Sequence, residues 1–233
     1  MTTITLYRGS DPRELANHAI GEAALYLRIP LSTLRAWALG MGTTFKPVFT
    51  VAQKSPPALS FFNLVEAHVL NAIRERVPLP RIRGALRYVE RDLGIRRPLV
   101  NQVFETDGVS LFVKHCGRLL NVSDQGQVAM RTMLEKYLER IEFDSDRLAA
   151  RLFPFTRAHR AAGDAAPADP RAVVFDPAIS FGRLVVAGTG VATAAIADRF
   201  LAGDTLDGLA RDFRLDPRFI EEAIRCESLQ KAA

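Results

Sequence analysis

Apolar residues recur at helical spacing through most of residues 19–97, and the pattern opens with a pair of short helices. Ile20–Leu27 and Ser32–Leu39 are joined by Arg28-Ile29-Pro30-Leu31. Ala24, Leu25, Ile29, Leu34 and Trp37 fall where two crossing helices share a core. Pro30 forbids one continuous helix, because it lacks an N–H and clashes with the preceding turn. Ser32 is placed to N-cap the second helix. The pair is a helix-turn-helix pattern. It puts Thr33, Arg35 and Ala36 on an exposed face near the end that enters a major groove. Phe45–Val51 then predicts a strand. Ser60 caps a helix with Phe62, Val65, Val69 and Ile73 along one face, and Pro78 and Pro80 open another carrying Ile82, Leu86 and Val89.

The middle of the chain alternates weakly, through Val100, Val103 and Phe104, then Val109, Leu111 and Val113, then Leu119, Leu120 and Val122. Asp107-Gly108 predicts a hairpin turn between short strands, and Gly117 a second turn. Asp124 and Gln127 form a capping-box pattern ahead of a helix over Gln125–Glu142, with Met130, Leu134, Tyr137, Leu138 and Ile141 as its apolar stripe. Residues 160–170, RAAGDAAPADP, have a linker's composition. Beyond them, Thr193–Ala202 stops at Gly203, Asp204 or Thr205 caps a helix ending near Phe213, and Asp216-Pro217 starts a third. Ile196, Phe200, Leu206, Leu209, Phe213, Phe219, Ile220 and Ile224 are its expected core.

These elements define an α+β fold, mainly α. A winged helix-turn-helix covers residues 1–97, a small β-hairpin plus helix region 98–143, a linker 144–170, and a C-terminal three-helix bundle with short strands 171–229. Composition agrees with a globular chain of 233 residues, 48% hydrophobic and 24% charged. The longest uncharged run of the apolar C-terminal region, Leu184–Ala197, is 14 residues broken by glycine and threonine, too short to span a bilayer. No basic segment followed by an apolar run marks the start. Cys116 and Cys226 lack CxxC company, and His18, His68, His115 and His159 lack metal-ligand spacing. A cytoplasmic protein without disulfide, metal or cofactor is expected. Gly188-Thr189-Gly190 is too short for a phosphate loop, Asp144, Asp146, Glu221 and Glu222 read as solvated, and no nucleophile–base pair is found, so an enzyme is not expected.

Charge divides the chain. Residues 1–100 hold 14 Lys and Arg against 7 Asp and Glu, and residues 101–233 hold 17 against 19. A basic first part fits a polyanion. Residues 193–227, with 5 Arg against 8 Asp and Glu, would be repelled by phosphate, and a protein partner suits them better.

The order of helix, turn, helix, basic wing and two further helices resembles the DNA-binding domain of the MerR type. The stretch DPAISFGRLVVAGTGVAT, with AGDTLDGLARDF and EEAIRCE after it, resembles the small C-terminal domain of many bacterial VapB-type antitoxins, long catalogued only as of unknown function. IGEAALYLRIPLSTLRAW and NQVFETDGVSLFV are similar to the longer members of that family, which join a MerR-like domain to the small one. The resemblance implies an antitoxin that binds its own promoter and neutralises a PIN-like ribonuclease toxin. No long dimerising helix with an effector domain follows, which sets the chain apart from generic MerR proteins.

Arg28, Ser32, Thr33, Arg35, Lys46 and Lys54 are the candidate contacts to double-stranded promoter DNA, with Arg81 and Arg83 as further cations. Arg157, Arg160, Arg171 and Arg183 are the candidate toxin contacts, since an arginine fork suits the carboxylates of a metal nuclease. A homodimer is expected from paired half-sites, with Phe61–Arg76 and Gln125–Glu142 as candidate seams. A stand-alone transcription regulator with a dimerising C-terminal domain, and an adaptor whose helix-turn-helix folds are structural, are the alternatives.

Overall fold

The computed structural model describes residues 9–42, 46–74, 76–120, 122–157 and 170–231. Strand β1 (His18–Ala19) leads into α1 (Ile20–Tyr26) and α2 (Leu31–Leu39). The wing is β2 (Gln53–Lys54) and β3 (Pro57–Leu59), and β1 completes an antiparallel sheet in the order β1-β3-β2, with His18 opposite Leu59 and Lys54 opposite Pro57. The expected strand over Phe45–Val51 is not formed in its described part, Lys46–Val51. Pro47 offers no donor, and Asn63 takes the place of a partner strand: its Nδ2 donates to the Thr50 carbonyl and its Oδ1 accepts from Ala52 N.

Helix α3 (Phe61–Asn71) is the centre of the molecule. Ser60 caps it as the sequence predicts, with Asn63 as the reciprocal member of the capping box. Every residue from Phe61 to Leu70 is buried, so α3 is a core helix and is unavailable as a seam between copies. Helix α4 (Leu79–Leu93) starts at Pro78–Pro80 and buries Ile82, Ala85 and Val89.

The expected hairpin around Asp107-Gly108 is instead helical. A π-turn at Phe104–Gly108 runs into α5 (Val109–Leu120). Val109, Phe112, Val113 and Cys116 are buried, a spacing of three, one and three that only a helix turns to one side. Gly108 serves packing rather than a turn: a Cβ there would lie 2.6 Å from Cδ2 of the fully buried Phe104. Gly117 is likewise within α5, against the Gln127 side chain. Helix α6 (Asp124–Leu138) is capped by Ser123, one residue earlier than expected, and ends short of Ile141. Its stripe of Met130, Leu134, Tyr137 and Leu138 is buried within this chain, which removes the second proposed seam.

The expected linker begins as a sheet. β4 (Ile141–Phe143) and β5 (Ala149–Leu152) form a hairpin, closed by Asp144, whose Oδ1 accepts from Asp146 N and Leu148 N. Asp144 also pairs with Arg13 at 2.5 Å, so it is not merely solvated. β5 pairs with β6 (Val173–Phe175), and β6 with β7 (Leu184–Val186), in an antiparallel sheet ordered β4-β5-β6-β7. Buried Arg140 fastens this sheet, donating to the carbonyls of Phe153, Pro154 and Pro170.

The C-terminal bundle follows expectation in α7 (Thr193–Leu201), α8 (Leu206–Phe213, capped by Thr205) and α9 (Pro217–Lys231). Ile196, Leu209 and Ile220 are its fully buried centre, whereas Phe200 is 37% exposed and lies outside it. The bundle does not stand apart. Val173, Phe175, Leu184 and Cys226 belong to the same core as α1–α6, and Phe175 meets the rings of His18 and Tyr26 edge-on. The chain therefore has no core boundary at 97 or 171.

Candidate functional site

Helices α1 and α2 form the helix-turn-helix. The turn is closed by Arg28 N and Ile29 N, which donate to the carbonyls of Leu25 and Ala24, and by a left-handed Arg28 (φ +54°). Leu34 and Trp37 face inward, and Leu25 is only half-buried. Pro30 occupies the N-cap position of α2 without a side-chain cap, so Ser32 is a helical residue rather than the cap. Leu31, Ser32, Arg35 and Leu39 are exposed and Thr33 is half-exposed. Ala36 turns inward, 8% exposed, because it sits one position from the Trp37 face; it is not part of the outer surface.

Lys54 is exposed on β2, the free edge of the wing sheet. Lys46 is exposed on the segment between α2 and the wing, and its carbonyl accepts from Arg83 Nη1. That segment is pinned to α2 by Val48 N donating to the Trp37 carbonyl. Ser32, Thr33 and Arg35 thus share one helix face, and the two lysines follow on the next structural units. Arg28 is directed elsewhere: Nε donates to the Phe155 carbonyl at 3.1 Å and Nη2 to that of Thr156.

The arginines expected to face a toxin are dispersed. Arg157 donates to Glu222 on α9, at 2.6 Å from Nη2 and 3.2 Å from Nε. Arg171 lies over the Phe153 ring, donates to the Glu139 carbonyl and stands 3.5 Å from Glu142. Arg183 is exposed on the approach to β7. Arg160 lies outside the described residues.

Glu222 corrects the solvent-facing expectation. It is 4% exposed. Burial alone would raise its pKa, but the Thr156 side chain and the Arg157 guanidinium hold it below the usual carboxylate value. A second buried carboxylate, Glu227, accepts from Tyr26 Oη at 2.9 Å and Thr193 Oγ1 at 2.5 Å, joining α1 to α9. Burial, and then the charge of Glu227, raise the pKa of Glu22 beside it. Sequence reasoning misread Glu222 and passed over Glu227 and Thr156, because their partners are distant in the chain and no local spacing marks them.

A cleft of about 800 Å³ lies between α3, α4 and the segment at 46–52, and the ion pair of half-buried Arg97 with buried Glu66 lines it. Among the described residues no group of three or more His, Cys, Asp or Glu could hold a metal ion. No described helix is long and apolar enough to cross a membrane.

Such a fold defines a protein with an N-terminal helix-turn-helix domain and a small C-terminal domain of helices and short strands. Residues 17–86 match a family described as "Putative DNA-binding HTH domain", and residues 173–225 match one described as "Protein of unknown function (DUF433)". The "Putative antitoxin VapB45" of Mycobacterium tuberculosis is 30% identical, the alignment covering 89% of this chain and 92% of that protein. The crystal structure of Rv2018 from Mycobacterium tuberculosis is 29% identical with a TM-score of 0.68, over 89% of this chain and 96% of that one. The chain belongs to the VapB-like antitoxin family, in the form that carries an N-terminal helix-turn-helix domain.

Proposed function

We propose that this protein is the antitoxin of a type II toxin–antitoxin pair, that it binds its own promoter as an autorepressor, and that it neutralises a PIN-like ribonuclease. The observation that carries the DNA half is the outer face of α2. Ser32, Thr33 and Arg35 project from a helix whose opposite face is fixed by Leu34 and Trp37. A rigid helix with a polar face at its N-terminal end is the form that reads base edges in the major groove. Lys46 and Lys54 would set the register on phosphate, as a wing does in MerR-like proteins. Two copies are expected on a paired half-site, because one recognition helix alone gives weak binding.

The toxin half draws on family membership and on the acidic C-terminal bundle. Among Arg157, Arg171 and Arg183, the exposed Arg183 gives up least on approaching a carboxylate-rich nuclease centre, only the nearby charge of Glu22. Arg157 would first have to leave Glu222. Arg171 and Arg160 remain secondary candidates.

The test is direct. The protein is titrated against its own upstream DNA and against scrambled DNA, and its neighbouring gene product is coexpressed and assayed for ribonuclease activity. Specific retardation and loss of nuclease activity are expected. Equal affinity for both DNAs would end the autorepressor reading. A fully active nuclease in the copurified mixture would end the antitoxin reading. Inhibition by an Arg183→Ala variant equal to that by the native protein would leave occlusion by the bundle as the mechanism.

A further inference from the structure

We infer that Arg28 is a positioning residue for DNA binding, holding the helix-turn-helix against a strap, residues 153–157, that the C-terminal helix locks in place. This inference rests on the DNA-binding reading above. A left-handed backbone is uncommon for arginine and persists where its surroundings over-determine it. Here they do so on both sides. The backbone N–H of Arg28 closes α1 onto the Leu25 carbonyl, while its guanidinium reaches the consecutive carbonyls of Phe155 and Thr156. An arginine fork spanning two adjacent carbonyls fixes orientation as well as distance.

The strap is itself held from α9. Thr156 is fully buried, its side chain bonds Glu222, and Arg157 pairs with the same carboxylate at 2.6 Å. A continuous series of charge-assisted contacts therefore runs from Glu222 through residues 156 and 157 to Arg28, and Arg28 lies two residues before the N-cap of α2. Tyr26, donating to Glu227, gives α1 a second fixed point on the same helix. The direction in which α2 projects is set by these contacts. The one cationic side chain in the turn is engaged by the strap, and while it holds those two carbonyls it is not turned to a phosphate.

Trp37, the chain's single tryptophan, is 1% exposed in α2 and reports on this packing without any DNA. Emission of the full chain is to be compared for native protein, Arg28→Ala, Arg28→Lys and Glu222→Gln, with far-UV circular dichroism confirming that each variant folds. A red shift is expected in all three variants, including Glu222→Gln, whose changed atom is on α9. On promoter DNA each should lose affinity on the order of tenfold, as expected for breaking a hydrogen bond to a charged group. The dependence of log K on log salt should keep its native slope, whereas loss of a phosphate contact lowers the slope by about 1. Arg28→Lys keeps the charge but cannot span both carbonyls, so it should fare like Arg28→Ala. Arg28→Ala combined with Glu222→Gln should lose less than the product of the single losses.

A native Trp37 spectrum with a lowered salt slope in Arg28→Ala, or rescue by Arg28→Lys, would make Arg28 a phosphate contact and overturn the inference. Unchanged affinity and emission in Glu222→Gln would overturn it as well. Should the native protein fail to bind its promoter, the DNA-binding reading falls, and the Trp37 spectra still decide whether the strap sets the turn.

Discussion

His18 sits where the wing sheet meets the C-terminal sheet, its ring edge-on to Phe175 at 5.5 Å. Burial disfavours the charged ring and pulls its pKa from 6.5 down to about 4. Between those values the unfolded chain binds the extra proton, so stability is full above about 6.5 and is lost as pH falls towards 4. His18→Phe keeps a ring and removes the proton site. Its unfolding free energy should decline less than the native protein's between pH 7 and pH 5, by about 2 kcal/mol for a shift of this size. Parallel declines in chemical denaturation would discharge His18 from this role. Arg35 makes a different demand. If it reads a base, Arg35→Ala should weaken promoter binding by ~1–3 kcal/mol and relax preference at that position, while Lys54→Ala should weaken all sequences alike and lower the salt slope by about 1. Fluorescence anisotropy on native and scrambled DNA at several salt concentrations separates the two, and an Arg35→Ala loss equal on both DNAs would make it a phosphate contact.

At the scale of elements, the segment between α2 and the wing is held by a side chain. Asn63 serves Ser60 N, Ala52 N, the Thr50 carbonyl and Glu66 at once, with no exposed surface. Asn63→Ala would leave the buried Ser60 N–H and Glu66 carboxylate each short of a partner and free the segment at 50–52, and a loss on the order of 3 kcal/mol is expected in denaturant melts. A loss below ~0.5 kcal/mol would mean that water replaces it. This arrangement explains what the sequence made legible. Ser60 and its apolar stripe have local partners, so α3 could be read directly, as could the caps of α8 and α9. Pro30 marked the break between α1 and α2 for the same reason. Phe45–Val51 has strand composition, but its outcome depends on Asn63, 13 residues beyond Thr50. Asp107-Gly108 has turn chemistry, yet burial of Val109, Phe112, Val113 and Cys116 outweighs it, and Gly108 is needed only because Phe104 leaves no room for a side chain. The outer residues of α2 could be named from spacing. That Arg28 would bind the strap and Arg157, within the strap, would bind α9 could not, because their acceptors lie 127 and 65 residues away.

For the molecule as a whole, the decisive fact is a core that runs from α1 through α6 into β6, β7 and α9. The N-terminal and C-terminal regions should therefore unfold together. Trp37 fluorescence, which reports α2, and far-UV circular dichroism, which reports all helices, are expected to give superimposable transitions in urea. Two separated transitions would show that the shared core contributes little. A fragment ending near residue 97 keeps the outer face of α2 but loses Phe175 and Cys226 from the core, along with Glu227 from beneath Tyr26. Its affinity for DNA should fall for want of a fixed scaffold, even with every candidate contact present.

The Tyr26–Glu227–Thr193 junction bears on how such chains can be recombined. Each of its three members comes from a different helix, and the carboxylate between them is buried. An exchange of front and back halves between two relatives would separate Tyr26 from the acid it serves. A hybrid that brought in a phenylalanine at position 26 would leave Glu227 short of a donor, and one that brought in an apolar residue at 227 would remove the acceptor that Tyr26 and Thr193 share. The N-terminal helix pair and the C-terminal bundle are thus inherited as a linked pair, and breeding new combinations requires that α1, α7 and α9 come from one parent.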